Sequence, residues 1–246
     1  MFRNSILAAA AVALLTTPAF AQAPAPAQQP AGGAGARAGG AGARAGGAGP
    51  ARRPALFLKE EWKQNEKSDE HPISQESVGN PNLELKLYGP SGKEILLTGR
   101  VGDENNPVHP WTGMCTTPCG LALRDKTNFA DLTGLARIRW NTKTSGFHQI
   151  RPIVKLADGN WYVGDHADAS TRDWLISEFN LADVRWLKLD ITRAVTTGNF
   201  VTIDLSKVDE IGFVDLMPGS GHGAGGWVDV AQFEVYGKPV PRDGTK

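Results

Sequence analysis

Apolar and polar residues alternate in short runs along most of the chain after residue 54, and turn-forming residues separate these runs. The pattern is clearest in LELKLY, ARIRWNTK, RWLKLDI and WVDVAQFEVYG. Alternation with a period of two residues is typical of a strand with one buried face, and runs with a helical period of 3.6 residues are almost missing. The sequence therefore predicts an all-β domain built as a two-sheet antiparallel sandwich.

The last two strand-like runs, Val208 to Leu216 and Trp227 to Tyr236, flank a glycine-rich loop that contains Ser220 and His222. We expect them to be neighbouring strands joined at one end of the sandwich. The loop lacks the G-x-S-x-G register of a nucleophile elbow, and the element after it reads as a strand. It therefore predicts neither a nucleophile elbow nor a phosphate-binding loop, which needs a helix N-terminus.

The first residues have the features of a secretory signal peptide. Arg3 precedes an apolar run from Ile6 to Leu15, and Ala19-Phe20-Ala21 forms a small-x-small cleavage site. The run is shorter than the roughly 20 residues that span a bilayer, which disfavours the alternative of a retained anchor. We predict a signal peptide over residues 1–21, no transmembrane segment after its cleavage, and a periplasmic or secreted protein.

Residues 22–53 consist of Ala, Gly, Pro, Gln and Arg, and AGGAGAR at 31–37 is repeated at 38–44. A segment without apolar side chains larger than Ala cannot offset the entropy lost on ordering it. It is predicted to be a disordered linker, acting as a tether or as a plain spacer. A single β-sandwich domain is expected over residues 54–246.

The net charge of zero hides an asymmetry along the chain. Five of the 26 basic residues precede residue 54 and all 26 acidic residues follow it, which leaves 21 basic against 26 acidic residues in the predicted domain. Nucleic-acid affinity depends mainly on clustered Lys and Arg. Nucleic acid is therefore not expected to be a partner.

Cys115 and Cys119 are the two cysteines of the chain. Exported proteins meet an oxidising environment, so the pair predicts a local disulfide, and the alternative is two free thiols. A redox-active pair would more usually have the C-x-x-C spacing at the start of a helix, and two cysteines alone do not make a structural zinc site.

The succession DLTGLARIRWNTK, IRPIVKLADGNWYVGD, DLSKVDEIGFVDL and the closing WVDVAQFEVYG resembles the galactose-binding-like jelly-roll superfamily, over roughly residues 83–237. This superfamily includes carbohydrate-binding modules and relatives of the complex I intermediate-associated protein. The resemblance implies a jelly roll, often with a structural calcium, and a ligand site on a concave sheet face or in loops at one end. A weaker similarity is to secreted 3-keto-disaccharide hydrolase-type domains, none of whose active residues matches a position here.

Seven tryptophans suggest a sugar-binding protein, because sugars stack on indole rings and accept hydrogen bonds from planar polar groups. The alternation at 137–140 predicts Ile138 and Trp140 in the core and the arginines outside. The alternative is that Ile138 is exposed at the rim and Trp140 lies outside with it. A face with a rigid guanidinium fork would suit a hydroxyl-rich or carboxylated sugar, and the alternative is a solvated outer surface. The predicted ligand-binding face carries Arg139, Gln149, Arg151 and Trp161.

A second candidate surface lies in the loop 100–120, which the cysteine pair holds. Trp111 with His109 could form a stacking platform there, or Trp111 could plug the end of the sandwich. The tryptophans predicted to serve packing are Trp62, Trp174, Trp186 and Trp227.

Oxygen-rich positions suggest a hard cation such as calcium. Asp165 and Asp168 lie in one acidic loop, and Asp229 stands where the resemblance places a calcium-ligating acid in some related modules. The alternative is that these acids cap turns. Zinc held by His166, His222 and an acid is a further possibility.

Taken together, these features predict an exported module that binds carbohydrate or another envelope polymer without catalysis. The alternatives are a sugar-processing hydrolase or lyase that uses an Asp/His pair, and a structural domain that docks another protein. A glycosidase needs two carboxyl groups that face each other across its cleft, and no spacing in the sequence identifies such a pair. The candidate catalytic groups are Asp165, Asp215, Asp229, His109, His148, His166 and His222.

Overall fold

The computed structural model describes residues 53–217 and 226–242. The predicted signal peptide, all but the last residue of the predicted linker, and both Ser220 and His222 lie outside these residues. None of the described segments forms a helix that is long and apolar enough to cross a membrane.

The described chain is a succession of sixteen strands with three short 3-10 turns, at Gln75–Ser77, Gly92–Glu94 and Leu181–Asp183. The strands are β1 Leu56–Glu61, β2 Glu70–Pro72, β3 Leu83–Tyr88, β4 Leu96–Thr98, β5 His109–Trp111, β6 Cys119–Asp125, β7 Asn128–Asp131, β8 Arg137–Thr144, β9 Ile150–Leu156, β10 Trp161–Gly164, β11 Leu175–Asn180, β12 Trp186–Asp190, β13 Val195–Val201, β14 Val208–Asp215, β15 Val228–Tyr236 and β16 Lys238–Pro241.

These strands form two antiparallel sheets. The seven-stranded sheet has the order β11-β8-β15-β5-β4-β2, and β1 also pairs with β15. The nine-stranded sheet has the order β13-β12-β10-β9-β14-β6-β3, and β7 and β16 extend it beside β14. The predicted all-β, two-sheet antiparallel sandwich is confirmed.

The core between the sheets follows from the alternation in the sequence. On β8, Ile138 and Trp140 are fully buried while Arg137 and Arg139 are partly exposed, as predicted. Trp140 stacks on Phe233 of β15, with ring centroids 6.2 Å apart. Phe213 of β14 meets Phe233 at 6.5 Å from the other sheet, so the inner faces of the two sheets share one apolar core.

The prediction that the last two long strands are neighbours is wrong. Strand β14 pairs with β9 and β6 in the nine-stranded sheet, whereas β15 pairs with β8, β1 and β5 in the seven-stranded sheet. Both strands are buried along most of their length and have partners on both edges. The sequence shows that each strand is central, but it does not show which strands flank it.

The structure corrects the prediction for one short segment and decides between the alternatives for another. The predicted loop 100–120 contains strand β5 and the start of β6. The sequence conceals β5 because this strand is only three residues long and has Pro110 as its middle residue. The segment at Leu56–Glu61, for which the sequence left a strand or a helical turn open, is strand β1.

The predicted disulfide between Cys115 and Cys119 is confirmed, and both residues are fully buried. The double substitution C115S/C119S is expected to lower the free energy of unfolding by about 2 kcal/mol, the value that the chain-entropy treatment gives for so small a closed loop. Urea denaturation of both proteins measures the loss, and wild-type protein under a reducing agent serves as the matched control. Equal unfolding midpoints for oxidised and reduced protein would contradict the expectation.

Candidate functional site

An aromatic cavity of about 300 Å³ opens on the outer face of the seven-stranded sheet. Its floor is built by cross-strand pairing, because Lys143 on β8 lies opposite Asp229 on β15, and Asp229 lies opposite Trp111 on β5. Lys143 alternates with buried Thr142 and Thr144 and therefore faces away from the core. The cavity is lined by Glu70, Thr98, Asn106, His109, Trp111, Lys143, Trp227 and Asp229.

Two tryptophans form the apolar wall of the aromatic cavity. The rings of Trp111 and Trp227 meet edge to face, with centroids 6.4 Å apart. Trp111 is nearly buried, whereas Trp227 is half-buried and lies outside the main core. An indole that is held in place and still accessible at the cavity can stack on the apolar face of a ligand.

Of the four tryptophans predicted to serve packing, only Trp62 and Trp186 belong to the buried core. Trp174 is half-buried beside the aromatic cavity, where its ring lies 4.9 Å from that of His109 and its Nε1 donates to the Asn105 carbonyl. Trp174 and Trp227 each stand one residue before a strand. The alternation within a strand therefore does not assign these two residues to a face, and no local pattern separates them from the core tryptophans.

Asp229 supplies a buried carboxylate to the cavity, since the residue is only 5% exposed. Its Oδ2 accepts a hydrogen bond of 3.2 Å from Trp227 Nε1, which fixes the indole relative to the carboxylate. Its Oδ1 is buried and receives no hydrogen bond from the described residues. Buried polar atoms are normally paired, so this oxygen is an acceptor to which a ligand can donate.

His109 presents a second acceptor beside Asp229. Its Nδ1 lies 2.5 Å from the Pro107 carbonyl oxygen, which can only accept, so Nδ1 carries a proton and donates it. In the neutral ring, Nε2 is then a lone-pair acceptor, and it lies 3.4 Å from Asp229 Oδ1. Lys143 supplies a hydrogen-bond donor to the same cavity. None of the described carboxylates forms an ion pair with it, so its ammonium group can donate to a ligand.

The ligand-binding face predicted from the sequence is divided between the two sheets. Arg139 lies on the outer face of the seven-stranded sheet, where Nη1 is 3.1 Å from Glu234 Oε2. Arg151 and Trp161 belong to β9 and β10 of the nine-stranded sheet, and Gln149 is exposed in the turn before β9. The prediction that these side chains share one face is wrong, because alternation assigns the face of a strand but not its sheet.

Trp161 is covered on the outer face of the nine-stranded sheet. It is 7% exposed within a small apolar cluster that includes Ile153, Val163 and Val214. The turn after β12 closes over this cluster, since Ile191 packs against it and the Ile191 carbonyl accepts a hydrogen bond from Gly89 N. Trp161 therefore offers little indole surface to a ligand.

Arg151, on the same outer face, is partly buried and donates Nε to the Gly164 carbonyl at 2.8 Å. Burial lowers the pKa of Arg151, and the nearby Asp165 carboxylate offsets this effect only in part. Arg151 thus remains a candidate for contact with an anionic group, separate from the aromatic cavity.

A charged cluster further along this face is centred on Asp209, which accepts hydrogen bonds from Arg124 and Arg242 and lies 3.3 Å from Lys155 Nζ. Burial raises the pKa of Asp209, but these cations outweigh it and hold the pKa below its usual value. A lowered folded pKa gives stability that is present above the unfolded pKa, near 4, and is lost as pH falls through the folded pKa.

Asp209→Asn is therefore expected to lower Tm at pH 7 by about 3 °C, the shift for roughly 1 kcal/mol in a domain of this size. The difference from wild type should shrink as pH is lowered below about 4. Thermal unfolding between pH 3 and pH 7 measures it. A Tm difference that does not depend on pH would contradict a charge-based role.

The three acids predicted as calcium ligands lie apart. Asp165 pairs with Arg185, with Nε 2.6 Å from Oδ2, and Asp168 accepts a hydrogen bond from Trp140 Nε1. Asp229 lies in the aromatic cavity on the outer face of the other sheet. Among the described residues, no group of three or more His, Cys, Asp or Glu side chains could hold a metal ion. The zinc alternative depends on His222, which is outside them.

Three Asp/His pairs concern the catalytic alternative. His166 Nε2 lies 3.4 Å from Asp168 Oδ1 at the edge of a separate cavity, but this contact lacks hydrogen-bond geometry. His148 Nδ1 lies 2.6 Å from Asp215 Oδ2, and Thr112 Oγ1 donates to the same oxygen. Both members of this pair are essentially fully buried. The pair His109 and Asp229 lines the aromatic cavity, but its 3.4 Å contact lacks hydrogen-bond geometry.

No protein-family model and no curated protein sequence matches the chain. The structure is similar to a family 11 carbohydrate-binding module of the cellulosomal cellulase Lic26A-Cel5E of Clostridium thermocellum, with a TM-score of 0.38, 16% identity, and coverage of 69% of this chain and 95% of that one. It is also similar to a putative sugar binding protein from Bacteroides thetaiotaomicron, with a TM-score of 0.37, 9% identity, and coverage of 63% and 88%. An exo-beta-agarase matches with a TM-score of 0.37 and 12% identity over 72% of this chain and 25% of that one.

Proposed function

We propose that this protein is an exported module that binds a carbohydrate, or another hydroxyl-rich envelope polymer, in the aromatic cavity without catalysis. The observation that carries the proposal is the fixed arrangement of Trp227 and Asp229. The hydrogen bond between them holds a stacking surface beside a buried acceptor, and a sugar ring offers both an apolar face and hydroxyl donors.

Binding without catalysis is supported by the state of the three Asp/His pairs. His166 and Asp168 are in contact but form no hydrogen bond. His148 and Asp215 are enclosed and do not line the aromatic cavity. His109 lies in the cavity, but it is oriented by the Pro107 carbonyl and makes no hydrogen bond with Asp229. A general base is usually oriented by a hydrogen-bonded carboxylate within reach of substrate, and none of the three pairs combines both properties.

Export is part of the proposal on the basis of residues 1–21 and of the disulfide, a bond that persists mainly in oxidising compartments. A metal is not needed for the proposed contacts, and thermal shift with calcium or EDTA tests the calcium prediction separately.

The proposal is tested by applying the purified full chain to an array of neutral, uronic-acid and sulfated glycans. We expect saturable binding to a subset of glycans and no release of reducing sugar from the bound polymers. Failure to bind any glycan would overturn the proposed function. Release of reducing ends from a bound polymer would favour the hydrolase or lyase alternative instead.

A further inference from the structure

The aromatic cavity presents two acceptor atoms side by side, and this arrangement restricts what it can bind. Asp229 Oδ1 and His109 Nε2 are 3.4 Å apart, and Oδ1 receives no hydrogen bond from the described residues. When His109 is neutral and donates Nδ1–H to the Pro107 carbonyl, Nε2 carries a lone pair and is an acceptor as well. One hydroxyl carries one proton and can satisfy only one of them. Two hydroxyls on adjacent ring carbons can satisfy both, each by donating its own proton.

We propose that the aromatic cavity selects neutral sugars through a pair of adjacent hydroxyl groups that donate to Asp229 and His109, and that it rejects acidic sugars. This inference rests on the proposed function and names the class of ligand for the same site.

The charges around the cavity support the selection against acidic ligands. Among the described residues that line it, Asp229 and Glu70 are carboxylates and Lys143 carries the one ammonium group. A ligand carboxylate or sulfate that entered would lose water beside the buried Asp229, and uncompensated charge in a buried site is costly. A neutral sugar avoids this cost, and its hydroxyl oxygens can still accept a hydrogen bond from Lys143.

The indole wall has a fixed position relative to the Asp229 acceptor. Trp227 uses Nε1 on Asp229 Oδ2, so its ring plane and the free Oδ1 are held in one rigid unit. A sugar that stacks on this indole enters the same cavity as both acceptors, since Asp229 and His109 line it together with Trp227. The guanidinium groups that suit acidic sugars lie elsewhere, since Arg139 pairs with Glu234 and Arg151 belongs to the other sheet.

Isothermal titration of the full chain tests the inference with three probes: the best neutral glycan from the array, its C6-oxidised uronate counterpart, and its monodeoxy analogues. We expect at least ~10-fold weaker binding of the uronate and of the analogues that lack either hydroxyl of one adjacent pair, because a site built around a hydroxyl is left with an unpaired polar group. Asp229→Asn should weaken binding of the neutral glycan by ~10-fold, and circular dichroism confirms that it folds. Asp209→Asn, on the other sheet, is the matched control and should bind as wild type does.

The inference is overturned if acidic glycans dominate the array, if the uronate binds as tightly as the neutral glycan, or if neither Asp229→Asn nor any single deoxygenation weakens binding. Each of these results leaves the proposed function standing, because a sugar is still bound. Absence of binding to every glycan is the different result that overturns the proposed function itself.

Discussion

Trp227→Ala is expected to weaken carbohydrate binding at least ~30-fold while leaving the protein folded. Aromatic anchors at the centre of a binding site commonly contribute 2 kcal/mol or more, and 2 kcal/mol corresponds to about this factor in Kd. The substitution removes the stacking surface and also the Nε1 donor that orients Asp229. Trp227 is half-buried and lies outside the main core cluster, so its truncation does not open a cavity between the sheets.

Isothermal titration with the best glycan from the array measures this loss, and thermal unfolding checks the fold. Phe200→Ala is the control, because Phe200 is an aromatic residue on β13 of the other sheet with 46% of its surface exposed. Wild-type affinity in Trp227→Ala would place the ligand elsewhere. If Trp161→Ala, not Trp227→Ala, abolished binding, the ligand would lie on the outer face of the nine-stranded sheet.

The fold could be predicted from the sequence to the extent that alternation reports burial. Ile138 and Trp140 were placed inside and Arg139 outside because a strand with one face on the core repeats every two residues. The assignment of strands to sheets could not be predicted this way. Strands β8 and β9 follow each other in the chain but belong to different sheets. Arg139 and Arg151 therefore lie on different sheets, although alternation correctly predicts that each faces outward from its own strand.

The candidate site was predicted in parts and not as a whole. His109 and Trp111 came from the loop rich in Pro and Gly, and Asp229 from the resemblance, as a metal ligand. Their convergence depends on the pairing of the three-residue strand β5 with β15, a contact between Trp111 and Asp229 that no local pattern encodes. Lys143 was missed although a signal existed, because it stands four residues after Arg139 and therefore has the same outward orientation.

Asp215→Ala is expected to lower the free energy of unfolding by about 3–5 kcal/mol, the usual cost of removing one partner from a buried polar pair. Asp215 is fully buried at the end of β14 and accepts hydrogen bonds from His148 Nδ1, Thr112 Oγ1 and Met217 N. Thr112 also accepts a hydrogen bond from Val228 N at the start of β15. The carboxylate therefore connects the ends of the two sheets, and its loss leaves buried donors unpaired.

Urea denaturation of wild type and Asp215→Ala measures the effect, and Asp173→Ala, at an exposed position, is the control, with an expected change within about 0.5 kcal/mol. A structural role also predicts non-additivity. If His148 and Asp215 stabilise the fold as a unit, the double substitution H148A/D215A should cost less than the sum of the single losses. Additive losses would mean that the two residues act separately. A fully stable Asp215→Ala would contradict the structural role and return the pair to the catalytic alternative.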